Sequence, residues 1–161
     1  MKRLKGFAIF ALVLLLGGCA SPYQSYGFAG GFKETQLDTN VWRVFFEGNG
    51  YTKGDRAEDF AMLRSAELTL ANGFTHFAFS SSKTGTDISS YSTPARAYSS
   101  STSSSIRIYG GNTEIIAKPT ATNLVVMFKG KPELNAAVYD ATFICNSIGK
   151  KYEVVCNASR K

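Results

Sequence analysis

Polar and apolar positions alternate most clearly over Val41 to Glu47. Trp42, Val44 and Phe46 share one side; Arg43 and Glu47 share the other with Val41 and Phe45. A period of two predicts a strand, and Gly48-Asn49-Gly50 predicts the turn that ends it. The period then lengthens. Ala57, Phe60, Ala61, Leu68 and Ala71 make one helical stripe, and Leu63, Ala66 and Leu70 a second, so a helix is predicted over Asp55 to Ala71. Asp55 with Glu58 reads as an N-cap and capping box, Asp59 adds first-turn negative charge, and Asn72-Gly73 supplies the stop. Arg64 falls inside the first stripe, which predicts a structural pairing with Glu67 or Phe60 rather than a catalytic role.

Phe74 to Phe79 predicts a second strand, and the short connections between strand, helix and strand suit a layered domain. From Ser80 to Ser105 the pattern dissolves: 16 of 26 residues are Ser or Thr. A stretch so poor in aliphatic side chains cannot offset its ordering entropy by burial, which predicts a loop. A loosely paired hairpin is the alternative. Ile106 and Ile108 suggest a short strand turned at Gly110-Gly111-Asn112, and Glu114 to Lys118 another, interrupted at Pro119. Leu124 to Phe128 is continuously apolar and predicts a central strand buried on both faces. Ala137, Ala141, Ile144, Cys145 and Ile148 predict a second helix over Ala137 to Ile148, closed by Gly149, with Val154 and Val155 as a further edge strand. The fold class expected is α+β: one domain, a mostly antiparallel sheet with two helices on one face.

The N-terminus has a different character. Lys2, Arg3 and Lys5 precede a ten-residue apolar run, Phe7 to Leu16, which ends in Gly17-Gly18-Cys19. A membrane-spanning helix needs about 20 apolar residues, whereas a signal-peptide core needs about 7–15. Basic start, short apolar middle, small residues and cysteine together resemble a bacterial lipoprotein signal. That resemblance implies cleavage before Cys19 and lipidation of its thiol and new amine. Each buried methylene adds about 0.8 kcal/mol of membrane affinity, and stable anchoring takes two or more chains. Ala20 in the next position implies export to the outer membrane, with the periplasmic face of the inner membrane as the alternative. The domain plan is therefore a signal peptide over 1–18, lipidated Cys19 and a tether over 19–34, the α+β domain over 35–156 with its Ser/Thr-rich loop at 80–105, and a frayed tail over 157–161. The tether rests on the Gly, Ser and Pro of residues 20–34; Tyr23, Tyr26, Phe28 and Phe32 are unusual for a spacer and are expected to fold back on the domain, with a place in the membrane interface as the alternative.

Charge and chemistry alter this picture little. Removing Lys2, Arg3 and Lys5 halves the formal charge of +6, so much of the basicity belongs to targeting. No basic stripe is interleaved with aromatics, which argues against nucleic acid as a partner. Cys145 and Cys156 have two readings, a disulfide in an oxidising periplasm or a buried small hydrophobe at Cys145. Gly48 to Gly54 follows a strand and leads into a helix, where backbone amides could cradle an anion. Its glycine spacing is not the dinucleotide fingerprint, and a plain glycine turn explains it. His76 is the only histidine and alternates with Phe74 and Ala78, so it reads as a packed or edge residue. No catalytic residue, metal ligand or cofactor site is assigned.

Three segments carry a further resemblance: Glu34-Thr35-Gln36-Leu37-Asp38, Gly48-Asn49-Gly50-Tyr51-Thr52, and Leu63-Arg64-Ser65-Ala66-Glu67-Leu68-Thr69. With the lipobox-like start and Tyr139-Asp140-Ala141, the chain resembles a small family of uncharacterised proteobacterial lipoproteins. The resemblance brings no catalytic residues. The function expected is that of an envelope protein anchored to the membrane through Cys19, non-enzymatic, acting in interaction, structure or stress sensing with an envelope protein or cell-wall partner. The alternative is a small-ligand-binding or hydrolytic periplasmic domain using the Gly48–Gly54 turn region.

Overall fold

The computed structural model describes residues 20–99 and 106–157; residues 1–18, Cys19 and all of the expected tail but Asn157 lie outside them. The elements in order are β1 (Gly31–Asp38), β2 (Val41–Glu47), α1 (Gly54–Ala71), β3 (His76–Ser92), β4 (Arg96–Ser99), β5 (Ile106–Tyr109), β6 (Thr113–Phe128), β7 (Val138–Asp140) and α2 (Ala141–Tyr152). Five strands form one antiparallel sheet in the order β1-β2-β6-β3-β7, and β4 pairs with β5 separately. Both helices pack on one face, so the α+β class holds.

The period of two explains the core. Val44 and Phe46 of β2, Val125 and Met127 of β6 and Phe77 of β3 turn inward onto Phe60, Ala61 and Leu63 of α1. Each such Val, Leu or Phe contributes roughly 1.5–3 kcal/mol by leaving water. Phe60 also meets Phe46 at 5.3 Å and Tyr152 of α2 at 4.9 Å, both edge-on. Along α1 the two expected stripes merge, since every residue from Leu63 to Thr69 is buried. The sheet covers one side, while α2 and the described segments around Tyr23 and Asn157 cover the others. Ser65 and Thr69 tolerate burial because their hydroxyls donate to the Ala61 and Ser65 carbonyls, both at 2.7 Å.

Several boundaries differ from expectation, each for a physical reason. The helix start shifts: Lys53 is the N-cap of α1, without a side-chain cap bond, and Asp55 lies inside the first turn. Leu124 to Phe128 is not buried on both faces; Val125 and Met127 are buried while Leu124, Val126 and Phe128 are half-exposed, because both helices among the described residues pack on the other face. Pro119 does not interrupt β6. Its carbonyl accepts from Gly48 N at 2.8 Å, and in a strand the nitrogen faces the same side as the carbonyl. That side lies just past the last β2–β6 pair, Glu47 with Thr120, so the missing N–H forfeits no ladder bond. Residues 138–140 form β7 against His76–Ala78, and α2 begins only at Ala141, where Asp140 Oδ1 accepts from Phe143 N at 2.9 Å. Gly149 lies within α2, which is closed by left-handed Glu153 (φ 55°), and Val154 and Val155 are outside any strand.

The largest departure is the Ser/Thr stretch. β3 continues to Ser92 and pairs with β6 as far as Ser92↔Thr113, so the loop expected at 80–105 is in large part a two-stranded ribbon. Backbone bonds hold it and its side chains stay in water. Threonine suits a half-exposed pleated surface, so low burial does not preclude a strand.

Candidate functional site

The expected tether over 19–34 is corrected by the residues that follow Cys19. Ser21 is fully buried and bonded on every polar atom. Its N–H donates to Thr52 Oγ1 at 2.9 Å, its hydroxyl donates to the Ala29 carbonyl, and its carbonyl accepts from Arg56 Nε at 3.2 Å. Tyr23 and Phe32 are buried in the core as expected of folded-back aromatics, whereas Tyr26 and Phe28 are exposed, and β1 already runs from Gly31. A spacer needs solvated backbone, and these groups have found protein partners instead.

The turn after β2 is built to receive this segment. Thr52 Oγ1 also accepts from Asn49 N at 3.1 Å and donates to Asn49 Oδ1 at 3.0 Å. At Gly48 a Cβ would lie 2.5 Å from Thr52 Cβ, so only glycine lets the turn close. Gly30, at φ +85°, presses on the Glu47 carbonyl in the same way. Gly48 thus lets the turn fold against the Thr52 side chain, whereas a Cβ at Gly54 would meet nothing within 4 Å; this fits the plain-turn reading.

Farther along α1 lies a buried ionic cluster. Arg64 is 1% exposed and Glu67 0%. Arg64 Nη2 meets Glu34 Oε1 at 2.6 Å and Nη1 meets Glu67 Oε2 at 2.9 Å, while the guanidinium lies 4.4 Å from the Phe32 ring centroid. The expected Glu67 pairing is present; the ring is Phe32 in place of Phe60. Tyr23 OH donates to Glu67 Oε2 at 2.7 Å, and Asn157 N donates to Glu67 Oε1 at 2.8 Å. Burial disfavours the charged guanidinium, but the hydrogen bonds it donates to Glu34 and Glu67 outweigh it and raise the Arg64 pKa. The cluster clasps the N-terminal segment, β1, α1 and the C-terminal segment. Cys145 and Cys156, joined as a disulfide with Cα atoms 5.5 Å apart, hold that last segment beside α2.

A cleft opens on the other side of the turn. Gly50, Thr52 and Gly54 face Thr84, Gly85 and Thr86 across a cavity of about 630 Å³, with Glu58 on its rim. The Gly48–Gly54 region and the Ser/Thr stretch do meet. Asn49, though, is committed to the turn through Tyr51 N at 3.0 Å and Thr52. His76 lies at the opposite end of the sheet, its Nδ1 2.9 Å from Thr75 Oγ1 and its Nε2 3.9 Å from Asp140. Among the described residues no group of three His, Cys, Asp or Glu could hold a metal ion.

No family model, curated protein or solved structure matches this chain. Two of the three segments that carry the resemblance meet through Glu34, Arg64 and Glu67, while Thr52 of the other bonds Ser21 and Asn49. Sequence reasoning found Arg64 and Glu67 as a helical pair. It missed Ser21, Tyr23, Glu34 and Asn157, whose partners lie 30 or more residues away. The one legible hint was a charged pair, three residues apart, set within otherwise apolar or hydroxyl-bearing helix positions.

Proposed function

We propose that the protein is a lipid-anchored bacterial envelope lipoprotein, lipidated on Cys19, serving as a non-enzymatic interaction, structural or stress-sensing module. The observation that carries this reading is Leu16-Gly17-Gly18-Cys19 at the end of a ten-residue apolar run with a basic start. The domain supports a structural role. Its most heavily bonded polar groups, Arg64, Glu67, Thr52 and Ser21, are consumed in holding segments together, leaving none of them to act on a substrate. Ala20 favours the outer membrane over the periplasmic face of the inner one, and the partner is an envelope protein or cell-wall polymer rather than nucleic acid.

The test is Cys19→Ala. Labelling with a palmitate analogue and mass analysis of the N-terminus should show an unlipidated precursor. A variant that is still processed and labelled sinks the anchor. A second reading, small-ligand binding, is favoured by the cleft between Gly50–Gly54 and Thr84–Thr86. Saturable binding of a cell-wall fragment, lost in Lys53→Ala or Thr84→Val, would establish it.

A further inference from the structure

The point at which the chain leaves the domain has a geometric consequence. Ser21 is buried and bonded through its N–H, its carbonyl and its hydroxyl, so the domain begins there. Only Ala20 separates it from Cys19, and two residue steps span about 7 Å at most. Any lipid on Cys19 must therefore enter the bilayer within about 7 Å of the folded surface.

Two turns flank this exit, and both are bonded to Ser21 itself. One closes with Gly27 N donating to the Gly30 carbonyl at 3.2 Å and Gly30 N to the Gly27 carbonyl at 3.0 Å, and it carries Phe28 at its tip. The other is closed by Thr52 N donating to the Asn49 carbonyl at 3.0 Å and carries Tyr51. Phe28 is 109% exposed and Tyr51 79%. Tyr26, beside the first turn, is 46% exposed. Exposed aromatic rings on pinned backbone, next to an anchoring point, are what the headgroup region accommodates: its mixed polarity suits an aromatic ring better than water does.

We propose that this end of the domain, with Phe28 and Tyr51 as its two tips, lies in the headgroup interface of the membrane that holds the Cys19 lipid. The domain then sits flush on the bilayer in one orientation, not on a tether. The occupant of the surface is lipid, and the proposal rests on the lipoprotein reading given above. The opposite end of the molecule supplies a control. Lys151 and Tyr152, in the last turn of α2, bond Asp59 near the start of α1 at 2.6 and 2.7 Å. Phe143 lies eight residues back along α2, about 12 Å away at 1.5 Å per residue, and is 68% exposed.

The test uses the full-length lipoprotein in vesicles of phosphatidylethanolamine and phosphatidylglycerol. A fluorophore is placed singly at Phe28→Cys, Tyr51→Cys or Phe143→Cys, all exposed positions, and each of the first two leaves the other tip intact. Mass analysis of the N-terminal fragment first reports lipid on Cys19. Nitroxide-bearing headgroups should quench the labels at 28 and 51 at least threefold more than the label at 143, and aqueous iodide should show the reverse order. Lipid on Cys19 with all three labels equally open to iodide overturns the docking and leaves the anchor standing. Absence of lipid on Cys19 sinks the anchor and the docking with it. Shielding of 28 and 51 in native membranes but not in protein-free vesicles would assign the surface to a protein and overturn the lipid contact.

Discussion

Two hydroxyl-rich regions of this molecule behave in opposite ways. Around Ser21 and Thr52 the hydroxyls are buried and bonded to backbone or to the Asn49 side chain, and Tyr23, two residues on, ties the chain to the Arg64–Glu67–Glu34 cluster through Glu67. Along the ribbon from Thr84 to Ser92 the same residue types face water, and Ile88, Tyr91 and Ile115 are exposed beside them. A buried polar group unpaired with protein costs about 1–3 kcal/mol, so the first region is held by specificity of partners. The second needs only backbone pairing. Side chains in the first should be intolerant of change and those in the second nearly indifferent to it.

The sharpest way to break that contrast is Arg64→Met. It keeps the volume and stem but leaves Glu67 buried beside Glu34 without a cation, for which a loss of about 3–5 kcal/mol is expected. Urea unfolding measures it. Glu67→Gln should cost less, because its amide oxygen in the Oε2 position still accepts from Tyr23 OH and Arg64 Nη1, and only Asn157 N loses its acceptor. A loss below about 1 kcal/mol for Arg64→Met would mean that the cluster is no clasp, merely a surface pair of the ordinary kind.

Next in size is the disulfide. The sequence separation of 11 between Cys145 and Cys156 closes a short loop, for which the chain-entropy model gives about 3 kcal/mol. Cys156→Ser with Cys145→Ala should lower the unfolding midpoint accordingly. It should also raise hydrogen exchange at Asn157, whose N–H bonds Glu67 Oε1. Unchanged exchange there would show that Glu67 alone holds the C-terminal segment.

Thr52→Val follows, with about 1–3 kcal/mol expected because Ser21 N and Asn49 N lose an acceptor in a buried place. Its diagnostic readout is local. Amide exchange at Ser21 and proteolysis within residues 20–30 should increase, turning the fixed exit into the flexible spacer that composition suggested. Protection equal to the parent protein would leave Phe32 and Tyr23 packing as the true restraint.

What was legible in the sequence follows the same division. Val41–Glu47 and the body of α1 were readable because their apolar periods are local and their burial one-sided or helical. The sheet-and-two-helix class followed from them. Residues 20–34 misled because Gly, Ser and Pro describe a chain without partners. Here Ser21 finds Thr52 31 residues on and Tyr23 finds Glu67 44 residues on. Such pairings leave no periodic trace. Pro119 misled in the opposite sense: its rule depends on which way the nitrogen faces, and only the register of β2 against β6 reveals that. Serine abundance hid β3 because propensity was read through burial, while the ribbon is held by its backbone.

The smallest effect is expected where the most sequence is removed. Ile88 and Ala117 are antiparallel partners on the ribbon. Replacing everything between them, 89–116, by Asn-Gly would join them through a two-residue hairpin whose twist matches the strands. The described part of the excised stretch contributes no residue to the core cluster. It also removes exposed Tyr91, Ile115 and Ile116, and shortening the connection reduces the closure entropy that folding must overcome. Stability should therefore stay within about 0.5 kcal/mol of the parent, as for surface changes generally. The cavity beside Gly50–Gly54 keeps Thr84, Gly85 and Thr86, so any ligand that binds there should still bind. A loss of several kcal/mol on this excision would mean that the ribbon packs on the body of the domain, and the contrast between the two regions would fail. Preserved stability with loss of a captured envelope partner would instead give the ribbon's exposed Tyr91, Ile115 and Ile116 a role in interaction, separate from the end that carries the anchor.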